Sequence, residues 1–170
     1  MAKWAALEAC QRRGKRCITA GIVLFWLEER RGIRVAKAIE QLLVNWEQEL
    51  RRKRVTYTVG VIAAYDDQRV RLVDRIRPGS QRWQSLRIRI DNVDAFQGKQ
   101  DDIMLYSMVR ANTSELRFIA DRRRLNVAFS RAKRLLIIVG HRDTAKLQPD
   151  LHRVVDAVPM SAILTPKEGT

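Results

Sequence analysis

The stretch Val59-Gly60-Val61-Ile62-Ala63-Ala64-Tyr65-Asp66-Asp67-Gln68 changes character halfway along. Val59 to Tyr65 is an apolar run of the kind that builds a buried strand. Asp66 and Asp67 follow at once, and two carboxylates suit the positive end of a helix dipole. Val70, Val73 and Ile76 then recur at helical spacing until Pro78-Gly79 stops them. A strand that feeds directly into a helix is the repeating unit of an α/β sheet, and the same unit recurs on both sides.

Upstream, Ile18 to Trp26 reads as a strand, and Val35, Ile39, Leu42, Leu43, Trp46 and Leu50 place a helix that Arg51–Arg54 closes. Downstream, Leu86, Ile88 and Ile90 alternate with Arg87 and Arg89 as in a half-buried strand. A loop from Asp94 to Gln100 leads to a strand over Ile103–Val109. A basic helix over Asp121–Lys133 precedes a strand over Leu135–Val139, ended by Gly140. The last thirty residues read as a short helix or two and a loose tail. Strands alternating with helices imply a mostly parallel sheet with helices on both faces. The expected organisation is a polar, basic lead-in over residues 1–17, one α/β domain over 18–150 and a tail over 151–170. Ligands of such folds sit beyond the carboxyl ends of strands, so the loops after strands are where chemistry is expected.

Composition narrows the classes. The 170 residues carry 33 Lys and Arg against 19 Asp and Glu, a net charge of +14, which attracts polyanions, nucleic acid foremost. Residues 110–134 concentrate this, with eight Lys or Arg and two acids. No run of eighteen apolar residues exists, so no membrane span is expected. Cys10 and Cys17 form neither a CxxC pair nor a disulfide framework, and His141 and His152 lack neighbours at zinc spacing, so no metal site is expected. An intracellular location fits, cytoplasmic or nuclear if the source is eukaryotic.

Two further segments follow the pattern of the first: Val93-Asp94-Ala95-Phe96-Gln97-Gly98-Lys99-Gln100-Asp101-Asp102 and Arg123-Arg124-Leu125-Asn126-Val127-Ala128-Phe129-Ser130-Arg131-Ala132-Lys133. Taken singly, each has an ordinary explanation: Tyr65 and Gln68 end a strand and cap a helix, Gly98 makes a turn, and Arg124 and Arg131 are solvated charges. Spacing sharpens the last segment. In a continuous helix Arg124, Ala128 and Arg131 share one face, with about 10.5 Å between its ends. Guanidinium is always charged and donates in a planar fork that suits phosphate oxygens.

Together and in this order, the three segments resemble the late motifs of superfamily 1 helicases of the up-frameshift and senataxin type, which read GVITPYxxQ, VDAFQGxExD and RRLNVAxTRA. Leu135–Gly140 and Val109-Arg110-Ala111-Asn112 match the same family, and the resemblance covers roughly residues 55–145. It implies a RecA-like, P-loop NTPase-type fold forming the second of two motor domains, with ATP and Mg2+ bound between the two and single-stranded RNA or DNA running across both. By the same resemblance Arg131 is the arginine finger, Arg124, Gly98 and Gln100 border the nucleotide, and Asp94, Gln97, Tyr65 and Gln68 belong to the strand track. The chain departs from the family at Ala64, where a proline is usual, at Gln100, where an acid helps hold the nucleotide, and at Ser130, where threonine is usual.

No G-x-x-x-x-G-K-[ST] loop and no apolar strand ending in Asp-Glu occur in these residues. The expected function is therefore half of a motor that needs a first RecA-like domain, in cis or trans, for ATP hydrolysis. An alternative is a non-catalytic nucleic-acid-binding or scaffold module with the same fold. A free-standing small enzyme ranks last, because no nucleophile–base pair or dinucleotide loop stands at useful spacing.

Overall fold

A computed structural model of the chain describes residues 21–26, 32–109, 121–147 and 149–164. The expected lead-in, residues 18–20 of the first strand, and the family's Arg110-Ala111-Asn112 lie outside the described residues. The elements, in order, are β1 (Gly21–Trp26), α1 (Gly32–Lys53), β2 (Tyr57–Ala63), α2 (Asp66–Ile76), β3 (Leu86–Asp91), β4 (Asp101–Ser107), α3 (Arg122–Phe129), β5 (Ala132–Gly140), α4 (Arg142–Lys146), α5 (Pro149–Ala157) and β6 (Ile163–Leu164). The sheet is six-stranded and parallel throughout, in the order β3-β2-β4-β5-β1-β6.

Alternation along the strands builds two cores. Val59, Val61, Ile103, Leu105, Leu135 and Ile137 face α1 and α2, where Ile39, Leu43, Leu50 and Leu72 meet them. Ile62, Met104, Tyr106, Leu136 and Ile138 face the other way, toward Phe96, Leu125, Ala128, Leu151 and Val155. Central strands buried on both sides read as continuous apolar runs, which is why β2, β4 and β5 stand out in the sequence.

Gly60 explains how the segment between β3 and β4 reaches the sheet. A Cβ there would stand 2.6 Å from the Met104 Sδ, 2.7 Å from the Asp101 Oδ2 and 2.7 Å from the Phe96 ring. Phe96 is fully buried and anchors the short helical turn Asp94–Phe96 in that space. We expect Gly60→Ala to cost about 1–3 kcal/mol, the usual scale of overpacking a core. Thermal unfolding checks this, and an unchanged midpoint would show that Phe96 can give way.

Two boundaries differ from expectation. The basic helix expected over Asp121–Lys133 stops at Phe129, because Asp101 N–H donates to the Arg131 carbonyl at 3.1 Å and Ala132 already pairs with Asp101 in the sheet. Sheet pairing takes the backbone that helix spacing had assigned to a last turn. The structure also runs past the expected boundary at residue 150: α5 packs Leu151 and Val155 into the second core, and β6 pairs with β1 through Leu24↔Ile163 and Phe25↔Leu164.

Candidate functional site

In a parallel sheet every strand starts at one rim and ends at the other, and the site residues divide between the two. Tyr65 follows the carboxyl end of β2, and its backbone carbonyl accepts from the N–H groups of Gln68 and Arg69, starting α2. Asp94 lies just past the carboxyl end of β3, largely exposed. Arg124, near the start of α3, reaches it: the guanidinium Nη2 lies 3.3 Å from the Asp94 Oδ2, and Nε lies 3.8 Å from the Asp121 Oδ2. Asp121 caps the same helix by accepting from the Arg123 N–H at 2.9 Å. Arg124 also lines a small recess with Ala64, Val93 and Tyr106, all at the carboxyl rim. Tyr106 meets the Phe129 ring edge-on. Burial pushes the Tyr106 hydroxyl well above the usual phenol range, and nearby Tyr65 adds to that shift, so this wall of the recess stays neutral.

At the amino-terminal rim the grouping is different. Gly98, Lys99 and Gln100 immediately precede β4, and Arg131 immediately precedes β5. The bond from Asp101 N–H to the Arg131 carbonyl holds these two entries side by side. Gly98 has φ +76°, and a Cβ there would meet nothing within 4 Å, so its backbone faces open space in a conformation that favours glycine. Gln97, Gly98, Lys99 and Gln100 are exposed, whereas Arg131 is half-buried, with its Nε donating to the Val127 carbonyl at 3.2 Å. Beneath them, buried Asp101 accepts from the Arg89 Nη2 at 2.7 Å, and the Arg89 guanidinium lies 5.1 Å from the centre of the Phe96 ring. Asp102 accepts from the Thr58 N–H and hydroxyl, both at 3.0 Å, and pairs with Arg134. These carboxylates fix the floor of the rim and leave Gly98, Gln100 and Arg131 as its exposed or half-exposed surface.

Three sequence expectations meet a different geometry. Arg124 and Arg131 do not share a helix face, since Arg131 lies beyond the helix, and they stand at opposite ends of α3. The segment from Asp94 to Gln100 begins at a carboxyl end and travels to the other rim, and the segment ending in Arg131 leads into β5. Gln68 is 1% exposed. Its Nε2 donates to the Gly32 carbonyl at 3.1 Å and lies 3.3 Å from the Ser107 hydroxyl, so it ties α1, α2 and β4 together from inside the fold.

Sequence reasoning passed over Asp101, Arg89 and Phe96, which carry the floor of the amino-terminal rim. The signal available was weak: Phe96 is an isolated aromatic in a polar loop, and Arg89 reads as the solvent side of a half-buried strand.

The profile of the AAA domain family matches residues 27–143. A putative regulator of nonsense transcripts 1 from Takifugu rubripes is 42% identical over 93 residues, covering 54% of this chain and 8% of that protein. The ATP-dependent helicase NAM7 of Saccharomyces cerevisiae is 38% identical over 86 residues, 49% of this chain and 9% of its own length. Helicase sen1 of Schizosaccharomyces pombe is 35% identical over 113 residues, 62% of this chain and 7% of its own length. The chain thus spans a small fraction of each of these relatives.

Proposed function

Since the chain belongs to the AAA domain family and is a superfamily 1 helicase domain of the up-frameshift and senataxin type, we propose that it is the second motor domain of an ATP-dependent helicase, acting on single-stranded RNA or DNA together with a first RecA-like domain. The observation that carries the reading is the pairing of the Gly98–Gln100 turn with Arg131 at one rim, through the Asp101–Arg131 backbone bond, while Tyr65 and Asp94 occupy the other. Nucleotide and strand then have separate rims of one sheet.

At the amino-terminal rim Arg131 presents a planar fork of donors to the nucleotide's terminal phosphate. Gly98 brings a bare backbone close to the phosphates, and Gln100 offers an amide where relatives carry an acid, so it contributes a hydrogen bond without charge. ATP supplies the transferable phosphoryl group, and Mg2+ is held by the first motor domain. At the carboxyl-terminal rim Tyr65 and Asp94 border the strand, and Gln97 lies on the segment that leads from there to the nucleotide rim. Gln68 serves that track from inside, by holding the start of α2 under Tyr65. Arg124 fixes Asp94 and so joins the strand rim to the finger helix.

The neutral Gln100 favours one rival reading, a nucleic-acid-binding module without turnover. ATP hydrolysis by the purified chain, alone and with a first motor domain added, separates the two. The motor reading expects no turnover alone and strand-stimulated turnover in the mixture. Turnover by the chain alone would end the half-motor reading, and strand binding without turnover in the mixture would leave the rival.

A further inference from the structure

Among the described residues strand β3 has a neighbour on one side only. Its pairing with β2 is unbroken from Tyr57↔Leu86 to Ile62↔Asp91, and the Ser85 carbonyl accepts from the Tyr57 N–H at 2.9 Å. Successive residues of a parallel strand turn their N–H and C=O groups alternately to either side. Arg87 and Arg89 therefore turn theirs toward β2, and Leu86, Ile88 and Ile90 turn theirs outward. The outward Leu86 N–H is taken by the Glu47 carboxylate at 3.0 Å. Among the described residues nothing bonds to the outward groups of Ile88 and Ile90.

A groove beside this edge is lined by Ser80, Trp83, Arg87 and Arg89 and runs inward to Thr58 on β2 and Asp101 on β4. Its chemistry is two-sided. Leu86 and Ile88 belong to the apolar side of the strand, and Arg87 and Arg89 to the other. Arg87 is exposed and has no ion pair among the described residues. Arg89 gives one nitrogen to Asp101, yet its Nε is buried with no acceptor.

We propose that β3 takes an extended acidic segment of a partner protein as an added strand. Main-chain bonds to Ile88 and Ile90 would hold it, its apolar side chains would lie beside Trp83 and Ile88, and its carboxylates would meet Arg87 and Arg89. A second copy of this chain fits poorly, because it brings the same two arginines into a pairing already opposed by a net charge of +14. Nucleic acid offers the charge but no row of amide groups to match the strand. Charged side chains on an edge strand discourage self-association, and the same charges select an acidic strand. The proposal stands apart from the motor reading and does not depend on it.

The test uses the chain itself and a fluorescent peptide alternating glutamate and valine, with a lysine–valine peptide and oligouridylate as comparisons. The acidic peptide is expected to raise its own anisotropy on titration with the chain and to slow amide exchange at Ile88 and Ile90, whereas the lysine peptide does neither. Arg87→Glu is expected to weaken binding about tenfold or more. Ile88→Pro removes an outward N–H while leaving the bonds to β2 in place, and is expected to abolish it. Both variants are checked for an unchanged unfolding temperature, and Arg87→Glu alone decides if the proline variant unfolds. Absence of peptide binding, or binding that neither variant weakens, would overturn the proposal. So would slowing of Ile88 and Ile90 by oligouridylate in place of the peptide, which would make the edge a nucleic-acid surface.

Discussion

Arg131→Ala, in a polypeptide that joins this chain to a first motor domain, is expected to lower ATP turnover by on the order of a thousandfold or more, with affinity for a single strand changed little. The size follows from chemistry: a guanidinium aimed at the terminal phosphate stabilises charge that develops only in transfer, so its loss falls on the rate and hardly on binding. The sparing of affinity follows from geometry, because Arg131 precedes β5 at one rim while Tyr65 and Asp94 follow β2 and β3 at the other. Stability should change little, since among the described residues this side chain gives one hydrogen bond, to the Val127 carbonyl. Arg131→Lys keeps the charge but loses the fork, and is expected to recover only a small part of the rate. Turnover within a few fold of the parent in the alanine variant would remove Arg131 from the mechanism. A parallel loss of strand affinity would mean that the two rims are not separate in function.

Glu47→Ala is expected to cost about 3–5 kcal/mol of folding stability. Glu47 sits on α1, 5% exposed, with its carboxylate under the turn that enters β3. Its oxygens accept from the N–H groups of Gln84, Ser85 and Leu86 at 2.9 to 3.1 Å. Truncation leaves these donors without an acceptor, two of them, the Ser85 and Leu86 N–H groups, in the buried interior, and an unsatisfied buried donor costs far more than an average hydrogen bond is worth. Glu47→Gln keeps one oxygen and loses the charge, so it should fall between the parent and alanine. Urea unfolding reads both. A cost below about 1 kcal/mol for alanine would show that water or a shifted turn replaces the carboxylate.

Much of the fold was legible because its strands are buried on both faces. Val59–Ala63, Ile103–Ser107 and Leu135–Gly140 have little choice but to be apolar, and the Asp66-Asp67 pair marks a helix start locally. Long-range competition was not legible. Nothing between Asn126 and Lys133 says that the helix must yield at Ser130; the reason is Asp101, thirty residues away, whose N–H claims the Arg131 carbonyl. Glu47 looks like one more charge on an amphipathic helix, and only the folded turn reveals that it points inward. Gln68 is similar: a polar residue one turn into a helix reads as exposed, and its burial depends on where Gly32 and Ser107 come to rest. The candidate site residues came from the resemblance of three segments to helicase motifs, whereas their division between two rims belongs to the topology.

The position of β1 has a consequence for how the chain comes to be folded at all. It lies between β5 and β6, pairing Gly21–Trp26 with Leu135–Gly140 and Leu24–Phe25 with Ile163–Leu164. During synthesis β2, β3 and β4 have their partners within a short stretch of one another, but β1 emerges early and finds neither neighbour until nearly all of the domain has been made. Closing so long a loop is slow, and a waiting apolar strand is exposed to wrong partners. Among the described strands β1 therefore waits longest for a partner, and the yield of folded protein should depend on what shelters it in the interval.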